Sequence, residues 1–201
     1  MRYQELLENR SRNVIVVDVQ PEYSGILDGA ENPVFEEIIN FVNNQTGQVL
    51  MLVNGEETGV SGDTIPGIKE YWEDSGFDPE NWQRVEFEDK GYGYFRSWMD
   101  NGVSDALIIK VIRLLYANKV TDSRELFEED PEKLKELAGR EFEDWMVDDP
   151  IHVDWTSVAR LKKFNNSYLV GGGRNECLRE VELLMNAFNI KYKRIDSLVY
   201  G

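Results

Sequence analysis

The sequence predicts an α/β protein, a three-layer α/β/α, Rossmann-like arrangement around a mainly parallel sheet. Three observations lead there. Short apolar runs recur along the chain, helical patterns separate them, and the first run, Val14 to Val17, is β-branched without a polar interruption. A strand apolar on both faces is one covered on both faces, and alternation of strands with helices is how parallel sheets are wound. With 201 residues, 41% of them hydrophobic and 11% aromatic, the chain suits one α/β domain over residues 1–201. A helical insertion at 118–155 is expected within it.

Composition narrows the partners. The 38 acidic residues outnumber 22 basic ones and leave a net charge of -16, which repels phosphate backbones. The basic stretches, Lys162-Lys163 and Lys191, Lys193, Arg194, are short and interrupted, so no nucleic-acid partner is expected. No run approaches the roughly 20 apolar residues of a membrane helix, so no membrane partner is expected either. The opening MRYQELLENRSRN is charged, with no apolar centre to serve as a signal peptide. A single cysteine cannot form an internal disulfide and fits a reducing compartment; the expected location is cytoplasmic.

Residues 1–12 read as a leading helix or arm anchored by Tyr3, Leu6 and Leu7. The Val14–Val17 strand ends at Asp18, and Pro21 stops it. Ligands of open α/β sheets bind beyond the carboxyl ends of strands, so Asp18 is placed either for chemistry or to cap the following turn. Asn32-Pro33 starts a helix with Val34, Phe35, Ile38, Ile39 and Val42 on its buried face. Residues 48–54 (QVLMLVN) form a second covered strand, followed by a glycine-rich loop over 55–64. A short helix over 66–75 carries Tyr71 and Trp72, and 82–88 (WQRVEFE) reads as a third strand with Asp89 and Lys90 at its end.

Lys90 opens KGYGYFRSWMDNG, whose first nine residues hold two glycines and four aromatics. It is either a loop lining a pocket or an aromatic mini-core. Residues 104–118 form a helix apolar nearly all round, central or covered by another subunit, which makes it a candidate homo-oligomer interface. From Thr121 to Trp155 there are thirteen acidic against four basic residues, a net -9, as expected of an acidic helical insertion. Asp130-Pro131 caps a helix there with the stripe Leu134, Leu137, Ala138, Phe142 and Trp145. The only histidine, His152, follows in a loop, and one histidine does not make a metal site. Residues 156–163 form a brief helix, and 190–199 offer a last strand.

The most informative stretch is YLVGGGRNEC, 168–177, running into LREVELLMNAF. An apolar strand ends in three glycines, and a helix with Leu178, Val181, Leu184, Met185 and Phe188 on one stripe starts at Cys177. The first amides of a helix lack intrahelical partners and the dipole end is positive, so a thiolate is stabilised there. Glycines bring backbone N–H groups close to an oxyanion. The alternative is a small residue packed under the sheet. Three reactive side chains, Asp18, Lys90 and Cys177, thus stand at or past the ends of three strands. A carboxylate can take the thiol proton, an ammonium can stabilise the anion, and amides can hold an oxyanion.

In VIVVDVQ, DKGYGYF and LVGGGRNECLREVELLMNAF the chain resembles the isochorismatase-like cysteine hydrolases, which include nicotinamidases and N-carbamoyl amidohydrolases. The resemblance covers most of the chain outside 118–155. It implies a catalytic triad of Asp18, Lys90 and Cys177, with the amides of Gly173 and Cys177 as oxyanion donors. It also implies a cis peptide near Gly172-Gly173. Tyr23, Tyr92, Phe95 and Arg174 are the expected substrate-binding residues. Arg174, Asn175 and Glu176 replace the small threonine and aspartate usual before the cysteine. The 54–64 loop lacks the histidine of the nicotinamidase metal site, so neither metal nor other cofactor is expected.

The expected function is metal-independent hydrolysis of a small amide, carbamoyl or related C–N substrate. The competing expectation is a non-catalytic relative serving binding or assembly, consistent with Arg174, Glu176 and the 104–118 helix. Nucleotide binding at the glycine turn ranks behind both, because GGGRNE is neither a P-loop nor G-x-G-x-x-G.

Overall fold

Five short strands carry the fold: β1 (Val14–Val17), β2 (Val49–Val53), β3 (Val85–Asp89), β4 (Ser167–Gly171) and β5 (Tyr192–Arg194). They form one sheet in the order β3-β2-β1-β4-β5, and every pairing is parallel. The computed structural model describes residues 11–25, 33–54, 63–89 and 95–201. Residues 1–10 of the expected 1–12 arm, the Asn32 cap, most of the 55–64 loop, Lys90 and Tyr92 lie outside those residues.

The helices, in chain order, are α1 (Pro21–Ser24), α2 (Pro33–Asn43), α3 (Ile65–Asp74), α4 (Arg96–Asp100), α5 (Asp105–Asn118), α6 (Arg124–Phe127), α7 (Pro131–Ala138), α8 (Trp145–Asp148), α9 (Trp155–Lys163) and α10 (Cys177–Ala187). A wholly parallel sheet flanked by helices is the three-layer α/β/α, Rossmann-like class. None of the described helices is long and apolar enough to cross a membrane.

The described structure divides into two units: Met1–Lys90 with Phe164–Leu178 and Lys191–Gly201, and Gly91–Lys163 with Arg179–Ile190. The first holds the sheet. Successive strand residues point to opposite faces, and Val14, Val16, Val49, Met51, Tyr168 and Val170 share a core with Phe35, Ile38, Ile39 and Val42 of α2. The alternate set, Ile15, Val17, Leu50, Leu52 and Leu169, is equally buried, so both faces of the three central strands are covered.

The third strand starts later than expected. Asp78 accepts the Glu80 amide at 3.0 Å and Pro79 follows, so residues 79–84 wind into a 3-10 helix and only Val85–Asp89 pairs with β2. Arg84 is buried at its end. Its guanidinium donates to the Val42 carbonyl at 2.7 Å, the Gly47 carbonyl at 2.9 Å and Asn81 at 2.9 Å. Burial pushes its pKa below the ordinary value, while the carbonyls of the α2 end and the following turn supply the acceptors a buried cation needs. The last strand is also shorter than the 190–199 expectation, because Asp196–Leu198 closes into a 3-10 turn.

In the second unit, Ser104 caps α5 by accepting the Leu107 amide at 3.3 Å, and α5 buries Leu107, Ile108, Val111, Ile112 and Leu115. Ile109 and Leu114 are half-buried and Ala106 is exposed, so the helix is one-sided. The acidic stretch is pinned at its neck: Ser123 donates to the Ile151 carbonyl at 2.9 Å, its hydroxyl accepts the Ile151 amide at 2.9 Å, and Val153 donates to Thr121 at 2.8 Å. His152 sits in that neck, bridged to Asp122. The expected helix through Trp145 is interrupted, since Gly139 takes φ 59° and ends α7.

Asp154 caps α9. Burial works against its ionisation, but the Ser157 hydroxyl at 2.6 Å and the Thr156 and Ser157 amides at 2.9 and 3.3 Å hold the carboxyl below its usual range. A depressed carboxyl contributes stability that is complete above its unfolded pKa of about 3.9 and is lost as pH falls through the folded value. Asp154→Ala is therefore expected to lower stability by about 1 kcal/mol at neutral pH. In urea denaturation the difference from wild type should shrink steadily below about pH 4.

Candidate functional site

The strand order sets where a site can lie. From β1 the chain winds outward through β2 and β3, then returns to β4 on the other side of β1 and ends at β5. Strand order reverses between β1 and β4, and the crevice beyond their carboxyl ends is where such sheets bind ligands. Val17 pairs with Gly171 across that point, so Asp18 and the glycine turn emerge side by side.

Asp18 is fully buried and has φ 50°, an uncommon backbone conformation for any residue but glycine. Its amide donates to the Leu52 carbonyl at 2.9 Å. Two residues on, Gln20 pairs its side-chain amide with the backbone of Asn54, accepting at 2.8 Å and donating at 3.0 Å. Gln20 also donates to Asp63 at 3.1 Å, and Asn54 donates to the Tyr23 hydroxyl at 3.0 Å. These bonds tie the segments after β1 and β2 into one polar belt.

The glycine turn is dictated by crowding. Gly171 and Gly172 have φ of 78° and 69°. A Cβ on Gly171 would stand 2.4 Å from the Val17 carbonyl oxygen, and one on Gly172 would stand 3.0 Å from Leu178. Only glycine fits both the angle and the space. Gly173 accepts amide hydrogens from Glu176 at 3.0 Å and Leu178 at 3.2 Å, which starts α10 with the half-buried Cys177 as its first residue. Among the described residues every peptide bond is trans, so the expected cis peptide at Gly172-Gly173 is absent.

One member of the site escaped sequence reading. Tyr200 lies beyond the last strand, and its segment pairs with Gly173 as an isolated bridge. Its carbonyl accepts the Arg174 amide at 3.0 Å, and its buried hydroxyl donates to the Asp18 carbonyl at 2.9 Å. The ring packs on Phe35 with centroids 5.3 Å apart. Burial, foremost, and then the negative charges of Asp18, Cys177, Tyr23 and Glu176 push the phenol far above its ordinary pKa. The hydroxyl therefore stays protonated, and it has Asp18, Cys177, Tyr23 and Glu176 within electrostatic reach. In the sequence its only signal is an aromatic after the apolar pair Leu198-Val199, where the chain beyond β5 can come back over the β4 turn.

Compared with family models, with curated proteins and with solved structures, the chain matches none. Geometry alone speaks for the site.

Of the expected residues, Asp18 and Gly173 both meet Tyr200, the first through its carbonyl and the second through a backbone bridge, and Cys177 follows at the start of α10. Arg174 is turned to Asp196, at 3.3 Å from its carboxylate, which Arg194 shares at 2.8 Å. Glu176 is exposed, yet its side chain runs along Gly173: a Cβ there would lie 3.3 Å from its Oε2. Phe95 is buried in the second unit, just before α4. Lys90 and Tyr92 fall outside the described residues, next in the chain after β3 ends at Asp89.

The glycine turn yields a direct test. Gly171→Ala must move the Val17 backbone or abandon φ 78°, and is expected to cost about 2 kcal/mol or more. Gly67→Ala, inside α3 with its nearest neighbour at 3.4 Å, is expected to be neutral or stabilising by up to about 1 kcal/mol. Chemical denaturation of the two variants compares them.

Proposed function

We propose that the chain is a cysteine hydrolase, a divergent relative of the isochorismatase-like enzymes, acting on a small amide, carbamoyl or related C–N substrate. The observation that carries this reading is the meeting, at the switch point of the sheet, of the segment bearing Asp18 with the glycine turn that leads into Cys177, both held by Tyr200. The Cys177 thiol gives its proton to the Asp18 carboxylate as sulfur attacks the substrate carbon. Negative charge moves to the substrate oxygen, held by the amides of Gly173 and Cys177. The intermediate collapses as the nitrogen leaving group takes the proton from Asp18. Water, deprotonated by Asp18, then attacks the thioester, and sulfur leaves as the thiol. Lys90 is assigned to stabilise the anionic intermediate. A reducing compartment such as the cytoplasm suits a nucleophilic thiol.

A second reading, a binding protein without turnover, is favoured by Glu176. It stands one residue before the thiol, and a negative charge that close in the chain opposes thiolate formation.

Alkylation with iodoacetamide separates the two. The hydrolase reading expects the rate at Cys177 to rise with pH well below the range of an ordinary thiol, whose pKa is about 8.5. Asp18→Asn and Lys90→Met should each displace that profile. An ordinary profile, indifferent to both substitutions, favours the binding protein.

A further inference from the structure

We propose that Tyr200 is a positioning residue for chemistry at Cys177: its hydroxyl, by donating to the Asp18 carbonyl, fixes the left-handed backbone from which the Asp18 carboxylate projects. The inference rests on the reading of Asp18 as base and Cys177 as nucleophile.

Three features carry it. An aspartate at φ 50° sits in a sparsely populated conformation that persists only when its surroundings hold it. The surroundings here are the Leu52 carbonyl on the Asp18 amide and the Tyr200 hydroxyl, 2.9 Å away, on the Asp18 carbonyl. The same tyrosine grips the other half of the site, since its own carbonyl takes the Arg174 amide and its backbone pairs with Gly173. One residue therefore spans the segment bearing the base and the turn bearing the nucleophile. Its ring lies against Phe35, with centroids 5.3 Å apart. The ionisable groups whose charge acts on that hydroxyl are Asp18 and Tyr23 from the chain after β1, and Glu176 and Cys177 from the turn after β4. Each charge among them keeps the phenol neutral, and a neutral phenol is the donor this role requires.

The test uses acylation by p-nitrophenyl acetate, followed as release of p-nitrophenolate across pH, on wild type, Asp18→Asn, Tyr200→Phe and Phe35→Leu. Tyr200→Phe keeps the ring and its packing and removes only the hydroxyl. Phe35→Leu loosens the packing and keeps the hydroxyl. Loss of a general base slows such a step by about a hundredfold or more, so Asp18→Asn is expected to fall by that factor. Its rate should then rise only toward the ordinary thiol range. Tyr200→Phe is expected to slow acylation roughly tenfold and to shift the pH–rate profile in the same direction. Phe35→Leu, though less stable, should keep the wild-type profile.

If Asp18→Asn is slow while Tyr200→Phe stays within about twofold of wild type, the positioning role is overturned and the hydrolase reading stands. If Phe35→Leu shifts the profile as much as Tyr200→Phe, packing rather than the hydroxyl is responsible, and the role is again overturned. If Asp18→Asn equals wild type, the hydrolase reading itself fails, and the positioning role with it.

Discussion

The hydrogen bond from the Tyr200 hydroxyl to the Asp18 carbonyl joins residues 182 positions apart, and the site depends on it. Local chain geometry cannot bring such residues together. The sheet does so by placing β1 between β2 and β4 and returning β5 beside β4. The chain after β1 and the chain after β5 then meet over the glycine turn. Tyr200 closes that meeting with one side-chain bond and one backbone bridge.

The close approach of β4 to β1 explains why the turn is built of glycine. Gly171 stands where any side chain would strike the Val17 carbonyl, and Gly172 stands where one would strike Leu178 at the start of α10. The same turn leads directly into α10, whose first residue is Cys177. Burial gives the arrangement its force, because interactions among charges grow as water is removed. It also sets a conflict: Asp18, Glu176 and a thiolate would crowd negative charge around one phenol. In the proposed hydrolase, transfer of the thiol proton to Asp18 is the step that relieves part of that conflict.

Much of this was legible in the sequence. The β-branched run Val14–Val17 and the apolar run ending in three glycines announced central strands, and both are buried on two faces. Asp18 could be singled out because it directly follows such a run, and Cys177 because it opens the helix after the glycine turn. Boundaries that depend on side-chain-to-backbone bonds were harder to see. The Asp78 cap and the buried Arg84 turned the front of the third strand into a 3-10 helix, though its residues alternate weakly as a strand does. The 104–118 helix is apolar in composition, yet it buries one face, since a helix rich in leucine and isoleucine need not be covered all round. Tyr200 was hard to see because its only local mark is to be an aromatic after the apolar pair Leu198-Val199. Its role comes from a strand order that no short stretch encodes.

The central proposal is that the only cysteine and the buried aspartate form one electrostatic pair. A single cysteine makes that pair directly observable. With ¹³Cβ-labelled cysteine the protein gives one cysteine resonance, and its chemical shift can be followed with pH. Coupling predicts that the cysteine shift of wild type follows two steps, which belong to the pair as a whole, and that it collapses to one step in Asp18→Asn. A single step in the ordinary thiol range, the same in both proteins, would contradict the account.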